Sequence, residues 1–261
     1  MKINSNLKAL GVAATMLTSF VLGGSATAFA EEGKKPGGVY TSKTIIQFEA
    51  SEGIITPPVD PTNPENPDPV IPVDPTDPDK PVDPGTPGPL SIDYASSLDF
   101  GMQKITSTTQ IYKAKAQLFK GDRGPGPNYV QVSDTRGTDA GWSLQVKQNG
   151  QFKSVKGKIL DGAEITFKNA QVNTASASPK PSISKSKFSL KPDGNGVAEN
   201  IMTAKVNEGS GTYVLAFGDN NTGGNSIELN VPGATTKYAE KYSTSLTWTL
   251  TDVPGKETET K

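Results

Sequence analysis

The 261-residue sequence contains no cysteine and no histidine. Without cysteine there is no disulfide framework, so any folded part must be held by packing alone, which suits a domain of about 170 residues and not a mini-protein. Without histidine, Ser-His-Asp and Cys-His nucleophile systems, histidine zinc sites and imidazole acid-base chemistry are all excluded within this chain. Only carboxylates, Lys, Tyr or a Ser-Lys pair remain for catalysis. Tryptophan is scarce, with two in the whole chain, and the formal net charge is −1. After the N-terminal segment, no apolar run approaches the roughly 18 residues of a membrane helix. The polar stretch from Pro254 to Lys261 offers neither a membrane anchor nor an LPxTG sorting signal.

What is present divides by composition into four parts. Residues 1–30 carry Lys2 and Lys8, an apolar run over 9–22 and Ala28-Phe29-Ala30 before Glu31. This is the pattern of a secretory signal peptide, with the exported chain expected to begin near Glu31. Residues 31–56 form an N-terminal arm whose Thr44-Ile45-Ile46-Gln47-Phe48-Glu49 alternates like a short half-buried strand. It reads either as a loosely ordered leader or as an arm that adds a strand to this domain or to a partner's sheet edge.

Residues 57–89 hold 13 prolines in 33 positions and repeat a phrase, Val59-Asp60-Pro61-Thr62-Asn63-Pro64 and Val73-Asp74-Pro75-Thr76-Asp77-Pro78. Proline fixes its own φ and biases the residue before it to extended geometry, so a disordered Pro-rich linker of polyproline II character is expected. At about 3.1 Å per residue it spans on the order of 100 Å. Seven acidic residues against Lys80 give it a net charge of −6.

Residues 90–261 carry a net +4, mildly basic and far from the concentrated basic face that nucleic-acid binding requires. Their pattern has period two almost throughout: 90–94, 112–118, 129–132, 142–146, 164–167, 188–190, 213–217, 227–231 and 246–250 read as strands. Turn material lies between them at 121–127, Asn149-Gly150, Asp193-Gly194-Asn195-Gly196 and 220–225. The expectation is an all-β domain, an antiparallel β-sandwich with Greek-key-like connections.

Both tryptophans sit in the same tripeptide, Trp142-Ser143-Leu144 and Trp248-Thr249-Leu250. Alternation puts Trp142, Leu144 and Val146 on one strand face, and Leu246, Trp248 and Leu250 on one face of the other. Three apolar positions in a row usually mean core, although an exposed indole would also serve as a glycan platform. The two strands are expected to be neighbours across the core.

This pair, with Asp252 and Pro254 trailing the second copy, resembles the WxL domain of Gram-positive surface proteins. So does the phrase Pro89-Leu90-Ser91-Ile92-Asp93-Tyr94-Ala95-Ser96-Ser97-Leu98-Asp99-Phe100-Gly101, and so does Ile227-Glu228-Leu229-Asn230-Val231-Pro232-Gly233-Ala234. The resemblance implies a secreted, non-enzymatic protein held non-covalently on the cell wall through peptidoglycan. It also implies an alternative, a subunit of a multi-protein surface complex retained by a membrane-anchored WxL-interacting partner. Trp142, Leu144, Trp248, Leu250 and Asp252 are the candidate wall- or partner-binding residues.

No catalytic, cofactor or metal residues are expected. The loop 219–225 lacks the ligand spacing of a calcium site. Asp161, Glu164, Glu199, Glu208 and Asp219 have nothing in the sequence to pair them for glycoside hydrolysis.

Overall fold

The computed structural model describes residues 38–66, 68–190 and 199–254. The expected signal peptide and cleavage point, the turn 193–196 and residues 255–261 lie outside the described residues. The chain divides into residues 1–46 and 47–261. Of the first unit, residues 38–46 are described; they form no strand and expose Val39, Tyr40, Ile45 and Ile46. Gln47, Phe48 and Glu49 form none either, and Phe48 is exposed. The strand expected over 44–49 is therefore absent, because an alternating segment with no neighbour has nothing to pair with or bury against.

Among the described residues of the second unit sixteen strands follow in order: β1 (Pro72–Val73), β2 (Leu90–Ala95), β3 (Gln110–Lys113), β4 (Leu118–Phe119), β5 (Asn128–Asp134), β6 (Trp142–Gln148), β7 (Lys153–Ser154), β8 (Glu164–Phe167), β9 (Ala170–Thr174), β10 (Ile183–Ser184), β11 (Phe188–Ser189), β12 (Glu199–Ala204), β13 (Gly211–Phe217), β14 (Ile227–Val231), β15 (Tyr242–Ser243) and β16 (Leu246–Thr251). Among the described residues the only helical element is the short turn Gly223–Asn225. The all-β, antiparallel expectation holds. Three four-stranded sheets run β10-β12-β6-β16, β11-β8-β14-β3 and β2-β5-β13-β9, with the two-stranded ribbons β1-β4 and β15-β7 beside them.

One core joins the three large sheets. Trp142, Leu144 and Val146 of β6, Met202 and Ala204 of β12, Ile165 and Phe167 of β8, Ile227 and Leu229 of β14, and Val130, Val132, Tyr213, Leu215 and Phe217 of β5 and β13 form a single cluster. Its aromatic centre is Phe167, with ring centroids 4.7 Å from both Phe188 and Phe217. At roughly 25 cal/mol per Å² of apolar surface, burial on this scale is what replaces the missing disulfides.

The sheet β2-β5-β13-β9 is covered on its other face as well, and the cover is the Pro-rich segment. Tyr94, Phe119, Tyr129, Val214 and Ala216 make a second cluster against which Val59, Val70 and Val82 pack. This corrects the free linker expected over 57–89. The segment is no continuous extended run either: it turns at 60–66 and 74–80, and it lies on the sheet, where β1 pairs with β4 and the Lys120 amide donates to the Ile71 carbonyl at 2.8 Å. Removing it would leave an apolar sheet face in water, and that face is the physical reason it stays.

Candidate functional site

The two W-x-L strands are hydrogen-bonded neighbours in one sheet, not partners across the core as expected. β16 runs antiparallel to β6 with Leu250 opposite Leu144 and Trp248 opposite Val146. The tripeptides thus meet at their leucines and send their tryptophans to opposite ends of the pair. β6 lies between β12 and β16, whereas β16 is the edge of its sheet. That difference fixes what each motif can touch.

Trp142 is 0% exposed and Leu144 likewise. The Trp142 Nε1–H donates to the Gly209 carbonyl at 2.9 Å, so the indole is buried with its one polar group satisfied. Gly209 has φ 79°, and a Cβ there would stand 2.6 Å from Nε1, so only glycine lets the chain close over the ring. These two residues shape the sheet and do not reach its surface.

Trp248 and Leu250 are half-buried, and Asp252 is exposed just beyond the end of β16. The Trp248 ring meets Phe167 edge-on at 6.4 Å and also lines a cavity described below. Asp252 contributes negative charge near Arg136. Hydrogen bonds from Arg136 to Asp134 are the main cause that holds this guanidinium above its ordinary pKa, with burial opposing and the charges of Asp134 and Asp252 assisting. Arg136 in turn donates to the Gly141 carbonyl at 2.8 Å, immediately before Trp142.

The Pro-rich strap is fastened by its own repeat. In the first copy, Asp60 Oδ1 accepts from the Thr62 amide and hydroxyl, both at 2.8 Å. The second copy does the same with Asp74 and Thr76 at 2.7 Å. V-D-P-T thus encodes an Asx turn, which leaves the second carboxylate oxygen to reach the domain. Asp60 takes a two-pronged contact from Arg123, Nε to Oδ2 at 2.7 Å and Nη2 to Oδ1 at 2.8 Å, while Asp74 Oδ2 accepts from Ser97 at 3.0 Å. Burial alone would raise Asp60, but the hydrogen bonds from Arg123 and Thr62 and the guanidinium charge outweigh it and bring its pKa down to about 2.

Two buried glutamines complete the fastening. Gln131 Oε1 accepts from the Val59 amide at 2.8 Å, while its Nε2 donates to the Pro57 carbonyl and to Asp93. Gln117 Oε1 accepts from Tyr94 and Ser96 hydroxyls, and its Nε2 donates to the Val73 carbonyl. Burial pushes the Asp93 carboxyl up against the opposing donations of Ser91, Ser133 and Gln131.

A third, degenerate copy of the repeat, Val82-Asp83-Pro84-Gly85-Thr86-Pro87, escaped the sequence reading because glycine replaces the threonine position. Its contact is different. Gly85 lies so close to β2 that a Cβ would sit 2.7 Å from the Asp93 Cα, and the Thr86 amide donates to the Ile92 carbonyl at 2.8 Å.

Four of the five candidate catalytic or calcium-binding acids, all but Asp161, have carboxylates engaged by separate partners. Glu199 pairs with Lys185 at 2.7 Å, Glu208 accepts from the Ser182 and Lys205 amides, and Asp219 Oδ1 accepts from the Asn221 and Thr222 amides of its own turn. Glu164 accepts from the Thr166 hydroxyl at 3.4 Å, and the backbone carbonyl of Asp161 accepts from Thr235. Among the described residues no helix is long and apolar enough to cross a membrane.

In comparison with known proteins, a family model described as WxL domain surface cell wall-binding matches residues 35–254. No curated protein and no solved structure matches the chain.

Proposed function

Because the chain belongs to the WxL family of surface cell wall-binding domains and is a cell-surface, cell wall-binding protein, we propose that it attaches directly and non-covalently to peptidoglycan, without catalysis. The observation that carries this reading is the family match itself, which takes in the strap and all three large sheets instead of one isolated motif. The half-buried Trp248 on an edge strand and the net +4 of residues 90–261 suit an anionic, glycan-rich envelope. Secretion through a signal peptide over 1–30 and a Gram-positive host complete the proposal.

The exposed arm favours a second reading, a subunit held by a membrane-anchored companion. Val39, Tyr40, Ile45, Ile46 and Phe48 are each more than three-quarters exposed, which is the kind of apolar segment a partner's sheet edge would cover. One experiment separates the two. Gram-positive walls stripped of all protein are expected to retain the purified chain and to release it intact in denaturant. Retention that returns only when membrane proteins are restored would favour the companion, and chain that survives boiling in detergent on the wall would contradict non-covalent attachment.

A further inference from the structure

A cavity of about 260 Å³ opens where the third strap repeat crosses β2 beside β16. Its lining includes Val82, Asp83, Thr86, Tyr94, Ser97 and Trp248. The volume lies below the about 300 Å³ at which sites for drug-sized molecules begin, so it suits one ring and not a peptide or a second domain.

The chemistry of the lining selects among the polymers of a wall. No Lys or Arg lines the cavity, while Asp74, Asp83 and Asp93 do, so a phosphate-rich polymer would meet only like charge. Two of these carboxylates already have their donors. Asp74 accepts from Thr76 and Ser97, and Asp93 accepts from Ser91, Gln131 and Ser133. Asp83 stands apart. In the first two repeats the aspartate fastens the strap, but the Asp83 carboxylate is exposed and has no hydrogen-bond or ion-pair partner among the described residues. The third repeat is secured instead by Gly85 and Thr86, which frees its acid.

We propose that this cavity is a sugar-ring subsite, in which the Trp248 indole supplies the apolar platform for a pyranose face and the Asp83 carboxylate accepts hydrogen bonds from its hydroxyl or amide groups. An aromatic wall with a few convergent polar groups and no opposing cation is the composition that a neutral, hydroxyl-rich ring requires. The choice of ligand rests on the wall-binding reading. The placement also explains the division between the tryptophans: Trp142 builds the sheet that carries β16, and Trp248 faces the ligand from the sheet edge.

The test is a fluorescence titration of the purified chain with a soluble N-acetylglucosamine oligosaccharide. Trp142, sealed in the core, gives a constant background, so a saturable change in emission reports Trp248. Asp83→Ala is expected to weaken binding about tenfold, the loss of one charge-assisted hydrogen bond, without moving the thermal melting point. Asp79→Ala, an exposed strap acid outside the cavity, is expected to change neither. Saturable binding by wild type that Asp83→Ala weakens supports the subsite, even if stripped walls fail to retain the protein. That combination would reject wall attachment alone. Wild type that sediments with stripped walls yet shows no saturable emission change, or an Asp83→Ala variant that binds the oligosaccharide as tightly as wild type, overturns the subsite while leaving wall attachment standing.

Discussion

Trp142 and Trp248 share a tripeptide and differ in work. Replacing the fully buried Trp142 with alanine opens a large cavity and leaves the Gly209 carbonyl without its donor, so Trp142→Ala is expected to cost about 3–5 kcal/mol in urea unfolding. Trp248→Ala, at a half-buried edge position, should cost distinctly less; equal losses would mean that both rings are core. Tyr129 gives a prediction of opposite sign. Its hydroxyl is buried in the strap cluster with no hydrogen-bond partner, so Tyr129→Phe is expected to be neutral or to stabilise by about 1 kcal/mol. A clear loss in the same assay would reveal a partner for that oxygen. At this scale the sequence was informative: alternation placed Trp142, Leu144 and Val146 on the core face, and all three are 0% exposed. It could not say that β6 has a strand on each side while β16 has one, because strand order is a long-range property. That order alone separates a sealed tryptophan from an accessible one.

The strap is the element in which composition misled. Proline predicts an extended chain, but each V-D-P-T phrase turns on its aspartate, and whether the segment runs free depends on a surface elsewhere that it can cover. The signal lay in β13: Tyr213-Val214-Leu215-Ala216-Phe217 is apolar without alternation, as in a strand buried on both faces, and all five residues are buried. Deleting residues 47–89 should therefore uncover Tyr94, Phe119, Tyr129, Val214 and Ala216. The expected result is binding of a hydrophobic dye and a lower melting temperature; an unchanged melt would show that the strap is a passive spacer. The clasp should also respond to acid. Asp60 falls from 3.8 to about 2 on folding, so its contribution is present above pH 3.8 and is lost as pH falls toward 2. At this partly exposed ion pair the effect is on the order of 1 kcal/mol, and Asp60→Asn should remove that part of the acid slope in denaturant titrations. Asp93, raised by burial, runs the other way, stabilising at low pH and losing that contribution as pH rises through its folded value. An acid slope steeper in Asp60→Asn than in wild type would contradict the assignment.

For the whole molecule, the all-β class, most strand positions and the family were legible because alternation, turn residues and two rare tryptophans are local signals. β1, β7, β9, β10, β12 and β15 were not read as strands: Ala170–Thr174 and Glu199–Ala204 are mixed in polarity, and the other four are only two residues long. Yet β12 is the inner neighbour of the first motif, with Ala204 opposite Trp142. The result is a unit in which β6 is flanked by β12 and β16 and packs its face into the shared core, the third large sheet is covered by the strap, and the strap is fastened through its repeated Asx turns. Within it the edge strand leaves Trp248 half-buried beside the third repeat. The most direct test is a binding isotherm of the purified chain on peptidoglycan freed of teichoic acids and protein, read by sedimentation. Saturable binding, reversed by denaturant, is the predicted result; wild type that stays in the supernatant at every peptidoglycan concentration would contradict direct attachment.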